Sequence, residues 1–194
     1  RSGPANGRGA GRGGRVPAEF CAVLGPTRPR PPRAGHRRVS TGPDSTRMLP
    51  MTDPRIEPAY DLPEREMLDA WLEFHRATLA VKCTELSDDQ LRARAVPPST
   101  MSLLGLVRHM ADVERNWFRC VMSNAETPGI YWSDADPDGD FDNVDDADIE
   151  HDFGVWRAEC EHARTVTSPM TLDDLGSRRG ESISLRWVLV HMIE

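Results

Sequence analysis

The sequence predicts an all-α protein, an antiparallel four-helix bundle whose fourth helix is incomplete in this chain. Three observations carry that reading. Four segments place apolar residues at three- and four-residue spacings. Proline falls between these segments and never inside them. No strand alternation and no internal repeat competes with the helical pattern across the 194 residues.

Residues 1–50 precede the first element and differ in kind from the remainder of the chain. They hold ten Arg against Glu19 and Asp44, a balance of +8, which leaves −15 on the other 144 residues of a chain whose net charge is −7. Rich in Gly, Pro and Arg and with almost nothing to bury, the segment is expected to be disordered, with the folded domain spanning residues 51–194. GRGAGRGGR would suit an RGG-like arm that neutralises phosphate. A passive tail, or upstream sequence read ahead of Met48 or Met51, is the preferred reading. AEFCAVLG, interrupted by Glu19, is too short for a signal peptide, and no apolar run is long enough to cross a membrane.

The first helix is expected from Glu64 to Leu86, with Leu68, Trp71, Leu72, Leu79 and Cys83 on one stripe and His75 beside them. Ser87-Asp88-Asp89 would cap a short turn before Pro97-Pro98. The second helix should begin at Ser99, Thr100 or Ser102 and reach about Ala125, burying Leu103, Leu106, Met110, Val113, Trp117 and Val121. The third should run from about Ala147 to Val166 on Phe153, Trp156, Cys160 and Ala163. The last, Ser184–Glu194, puts Leu185, Val188, Leu189 and Met192 on one side and is expected to end inside a helix, as a truncated chain would.

The acidic stretch SDADPDGDFDNVDD has nearly the spacing of an EF-hand, counted from Asp134. Pro137 at the fourth position and Asp145 in place of the twelfth-position Glu argue against calcium. The stretch is expected to be a solvated crossover that supplies negative charge to the start of the third helix. Cys21, Cys83, Cys120 and Cys160 stand apart with no CxxC pair, which fits a reducing, cytoplasmic setting and no zinc knuckle. With −15 on the folded part, nucleic acid is not an expected partner.

Among the histidines, His36 lies in the basic segment, His75 on an apolar stripe as a core or boundary residue, and His151 and His162 on polar helix faces open to solvent. His109 and His191 each follow a strongly apolar run, LLGLVRH and SLRWVLVH, near the edge of a buried stripe. Imidazoles in that position on two bundle helices are a means of holding a divalent metal, although two of them make no complete site.

The segments STMSLLGLVRHMADVERNWF, IYWSDADPDGDFD, WRAECEHAR and SLRWVLVHMIE, in this order, resemble the DinB-like superfamily of four-helix bundles. They are most similar to its DUF664, or mini-circle-type, branch, common in actinobacteria, over about Thr52 to Glu194. The resemblance implies a divalent metal, Zn, Ni or Fe, held by one His of the second helix and two ligands a turn apart on the fourth. The first maps onto His109, and the other pair falls beyond Glu194. His191 lies just before that pair as a neighbouring group or substitute ligand. The implied activity is metal-dependent transfer of a thiol such as mycothiol to an electrophilic substrate, or a thiol-carried isomerisation, in detoxification or stress. Under it Arg108, Arg115 and Arg119 either steer an acidic thiol or are solvated helix charge, and a homodimer is compatible with the fold. A non-catalytic, stress-associated bundle that binds a small ligand or partner is the alternative.

Overall fold

The structure, a computed structural model, describes residues 55–194. The expected disordered segment 1–50, with its RGG-like motif, lies outside the described residues.

Three of the longer helices begin where a side chain receives a free amide of the first turn. Ser102 Oγ accepts from Gly105 N at 3.0 Å and starts α3, Leu103–Glu114. Asp148 Oδ1 accepts from His151 N at 3.0 Å and starts α5, Ile149–Thr167. Ser184 Oγ accepts from Trp187 N at 3.3 Å and starts α6, Leu185–Ile193. The first helix, α1, is Glu64–Cys83, entered from Pro63 with Glu64 and Glu66 in its first turn. Two short helices sit in the connections. Asp88–Arg92 (α2) opens on a reciprocal capping box between Ser87 and Gln90, and Gly139–Asp142 (α4) lies within the acidic stretch.

The described residues are thus mostly helical, with six helices where the sequence led us to expect four, and two further departures. From Arg115 to Met122, α3 continues as a π-helical segment of wider turn. The connection before α6 contains a two-stranded antiparallel sheet, β1 Leu175–Arg178 and β2 Glu181–Ser184, paired from Leu175↔Ser184 to Arg178↔Glu181. Its two-residue turn, Arg179-Gly180, has positive φ at both positions, 54° and 84°, the turn whose twist matches antiparallel strands. Gly176 lets this hairpin approach the π-helical segment, since a Cβ there would stand 2.4 Å from the Val121 carbonyl oxygen.

Two apolar clusters make up the core. One gathers Leu72, Phe118, Val121, Ala163, Leu185, Val188 and Leu189 from α1, the π-helical segment, α5 and α6. The other gathers Cys83, Leu91, Leu104, Val107, Ala111, Val144, Trp156 and Cys160. The stripe expected for α6 is the buried one, Leu185, Val188, Leu189 and Met192; on α5 Trp156, Cys160 and Ala163 are buried and the expected Phe153 only partly so.

For α3 the fully buried face is rotated by one residue. Leu104, Val107 and Ala111 are completely enclosed, while the expected Leu103, Met110 and Val113 are only partly buried. The helix is covered on more than one side, so apolar residues occupy two adjacent stripes and periodicity cannot rank them. On α1, Arg76 takes the buried position and His75, expected at the core or its edge, is exposed against Trp71 and Phe74.

The acidic crossover is also more than solvated charge. Asp134, Asp136 and Asp138 are exposed, but Asp140 and Val144 are completely buried. The Arg92 guanidinium clamps the stretch by donating to the Val144 and Ala147 carbonyls, at 3.0 and 2.7 Å.

Candidate functional site

One face of α3 is given over to holding the acidic stretch and the residues just before it. Asp112 accepts the amides of Ile130 and Tyr131, at 2.6 and 3.0 Å, and burial holds its carboxyl above the ordinary range. One turn earlier, Arg108 is buried. Its guanidinium donates to the carbonyls of Gly139 and Asp140, at 3.2 and 3.1 Å, and to Asp152 Oδ2 at 3.0 Å. It also lies 4.0 Å from the centre of the Tyr131 ring. Tyr131 closes the network by donating its hydroxyl to Asp152 Oδ1 at 2.8 Å; burial and the Asp152 charge push the phenol up.

Between these two anchors stands His109. Its Nδ1 lies 2.8 Å from Oδ2 of Asp140, a carboxylate with no solvent exposure, and its ring stacks on Phe141 at 5.0 Å and 30°. Gly105, one turn before, leaves room for that ring, since a Cβ there would come within 2.9 Å of Phe141 Cδ1. A carboxylate only accepts hydrogen bonds, so the shared proton belongs on Nδ1, and the ring in its neutral form carries its lone pair on Nε2. This is the arrangement of a metal-ligating or proton-accepting imidazole whose orientation is set from behind.

His191 has different company. It stacks on Trp187 at 4.9 Å and 14° and meets the edge of Trp117 at 4.8 Å, with Arg178 over the other ring system at 4.5 Å from the Trp117 centre. Burial first, then the Arg178 charge, holds its pKa below the ordinary histidine value. Among the described residues, no group of three His, Cys, Asp or Glu side chains gathers as a cation cage. His109 fits one metal ligand, and the described residues do not complete a set.

Arg115 and Arg119, expected as steering groups or solvated charge, are instead partners of the buried Glu159. Arg115 Nη2 donates to Oε1 and Arg119 Nε to Oε2, both at 2.8 Å. His162, expected in solvent, is half-buried beside them, and its Nε2 is shielded with no hydrogen-bond partner among the described residues. Burial lowers its pKa. Cys83 and Cys160 are buried thiols, pushed up in pKa by that burial, so neither is a ready thiolate. They line a groove of about 660 Å³ between α1 and α5, along with Ala77, Phe153, Trp156 and Arg157; His109 is not part of its wall.

What sequence reasoning missed here is Asp140. It stands in a run of aspartates that looks uniformly solvated, and only the aromatic Phe141 immediately after it marks one position as facing inward. No helix among the described residues is long and apolar enough to cross a membrane.

No curated protein and no solved structure matches the chain. A family model, mycothiol-S-transferase, matches residues 67–194, from α1 through the His109 site to the end of α6. Because that match covers more than half of the 194 residues and every group described at the site, the chain belongs to the mycothiol-S-transferase family.

Proposed function

We propose that this chain transfers a low-molecular-weight thiol of the mycothiol type to an electrophilic small molecule, with a divalent metal as cofactor and a role in detoxification or stress. In this reading α1, α3 with its π-helical extension, α5 and α6 are the walls of a DinB-type four-helix bundle of the DUF664 kind. The observation that carries it is His109, buried at one edge against Asp140 and on one face against Phe141, inside a match to a thiol-transferase family.

The nucleophile in this scheme is the incoming thiol; Cys83 and Cys160 are buried and held as thiols, and the half-buried Cys120 donates its S–H to the Thr127 carbonyl at 3.6 Å. A divalent cation, when bound through Nε2 of His109, would supply the charge that lets a thiol ionise at neutral pH. The chain's own residues do the positioning. Asp140 holds Nδ1–H, Phe141 fixes the ring plane, and Arg108 fixes the backbone that carries both. The acidic balance of residues 51–194 supports a small-molecule partner over nucleic acid.

The test is consumption of mycothiol with a chromogenic electrophile, alongside metal content, for the native protein and for His109→Ala. Catalysed thiol consumption that falls at least tenfold in His109→Ala is expected. Consumption no faster than without protein, in the metal-loaded native chain, would overturn the enzymatic reading and leave a ligand-binding bundle.

A further inference from the structure

We infer that Asp140 is a positioning residue: its buried carboxylate fixes His109 as the Nδ1–H tautomer, which leaves the lone pair on Nε2, the atom that would ligate the cation. The second half of this statement rests on the reading of His109 as the acting group. The first half stands on geometry alone.

A carboxylate without solvent exposure needs hydrogen bonds to offset its lost hydration. Asp140 has two, from Phe141 N to Oδ1 at 3.0 Å and with His109 Nδ1 at Oδ2, 2.8 Å. The second is not needed to hold the acidic stretch in place. Arg108 grips its backbone at Gly139 and Asp140, Asp112 fixes the amides of Ile130 and Tyr131, and Arg92 fixes the far end. The Asp140 side chain therefore adds little to loop anchoring that other groups do not already supply. What it adds is direction: one ring edge of His109 is fixed by Oδ2 and one face by Phe141. A free neutral imidazole exchanges between tautomers, and an acceptor at Nδ1 removes that choice.

Nitrogen-15 NMR of the ring, recorded at about pH 8.5 where an ordinary histidine is neutral, reads the tautomer directly. The native protein is expected to show a protonated, pyrrole-type Nδ1 and an unprotonated Nε2 for His109. In Asp140→Asn the side-chain amide keeps the volume but donates to Nδ1, so the proton should move to Nε2. kcat for thiol transfer should then fall about 10- to 100-fold, as for other supports of ligating histidines, with KM for the thiol roughly unchanged. In a His109→Ala background the same Asp140 substitution should have no further effect on kcat.

An Nε2–H tautomer in the native protein would overturn the proposal without any variant. So would an unchanged tautomer in folded Asp140→Asn or Asp140→Ala. Should His109→Ala keep native activity, the proposed site is wrong, whereas the tautomer result still decides what Asp140 does to the ring.

Discussion

Replacing Glu114 by alanine strips a buried guanidinium of its bidentate partner. Arg76 on α1 donates through Nε to Oε1 at 2.7 Å and through Nη2 to Oε2 at 2.5 Å. The Glu114 side chain has no solvent exposure and that of Arg76 only 7%. Breaking such a pair from one side costs roughly 3–5 kcal/mol, because the charge left behind stays desolvated. Here the lower end applies, since Glu73, 44% exposed, remains on Nη1 at 2.6 Å and keeps part of the charge compensated. A loss of about 3 kcal/mol corresponds to a fall in Tm of roughly 9 °C for a domain of this size. With a urea m-value of about 2 kcal/mol/M, the unfolding midpoint should drop by about 1.5 M. Urea titrations followed by circular dichroism measure this. The double variant Arg76→Met with Glu114→Leu removes both charges together and should recover most of the loss. A Glu114→Ala protein within about 1 kcal/mol of the native one would refute the reasoning, as would a double variant less stable than the single one.

Glu159 sets an acid limit. Burial alone would raise its carboxyl, but hydrogen bonds from Arg119 and Arg115 more than offset this and hold it below its ordinary value of 4.5. Its stabilising share is therefore present above about pH 4.5 and lost as pH falls through the lowered value, and Glu159→Gln should flatten the stability curve in that window. Gly176→Ala would place a methyl 2.4 Å from the Val121 carbonyl oxygen and should cost about 1–3 kcal/mol in thermal denaturation, where Gly154→Ala, with open space around it among the described residues, should cost nothing or stabilise slightly. Calcium at millimolar concentration should leave backbone NMR shifts from Asp134 to Asp145 unchanged; a saturable shift would show that the exposed aspartates bind it.

Helix positions, and the buried stripes of α5 and α6, were largely legible because 3.6-residue spacing is a strong signal wherever one face is covered. α6 shows this best, with all four expected residues buried. Legibility failed where charge goes inside. Arg76, Arg108, Glu114 and Asp140 look, in sequence, like any solvated helix or loop charge, and only their partners from distant segments reveal them. The hairpin was missed for another reason. Strands of four residues are too short to show alternation, and Arg179-Gly180 is a weaker turn signal than Asn-Gly. His109 was singled out from its place after an apolar run, but its contacts to Asp140 and Phe141, like the enclosure of His191 by Trp117, depend on residues of other elements.

The helix that begins as α3 has two parts of different winding, Leu103–Glu114 and the π-helical segment Arg115–Met122. His109 belongs to the first part, and Trp117, which carries the contact to His191, to the π-helical second part. Each residue wound in the wider turn advances through a smaller angle than in an α-helix, so Trp117 points in a different direction from the one a continued α-helix would give it. The aim of Trp117, and with it one wall of the His191 neighbourhood, is thus written in how widely the helix is wound after Glu114.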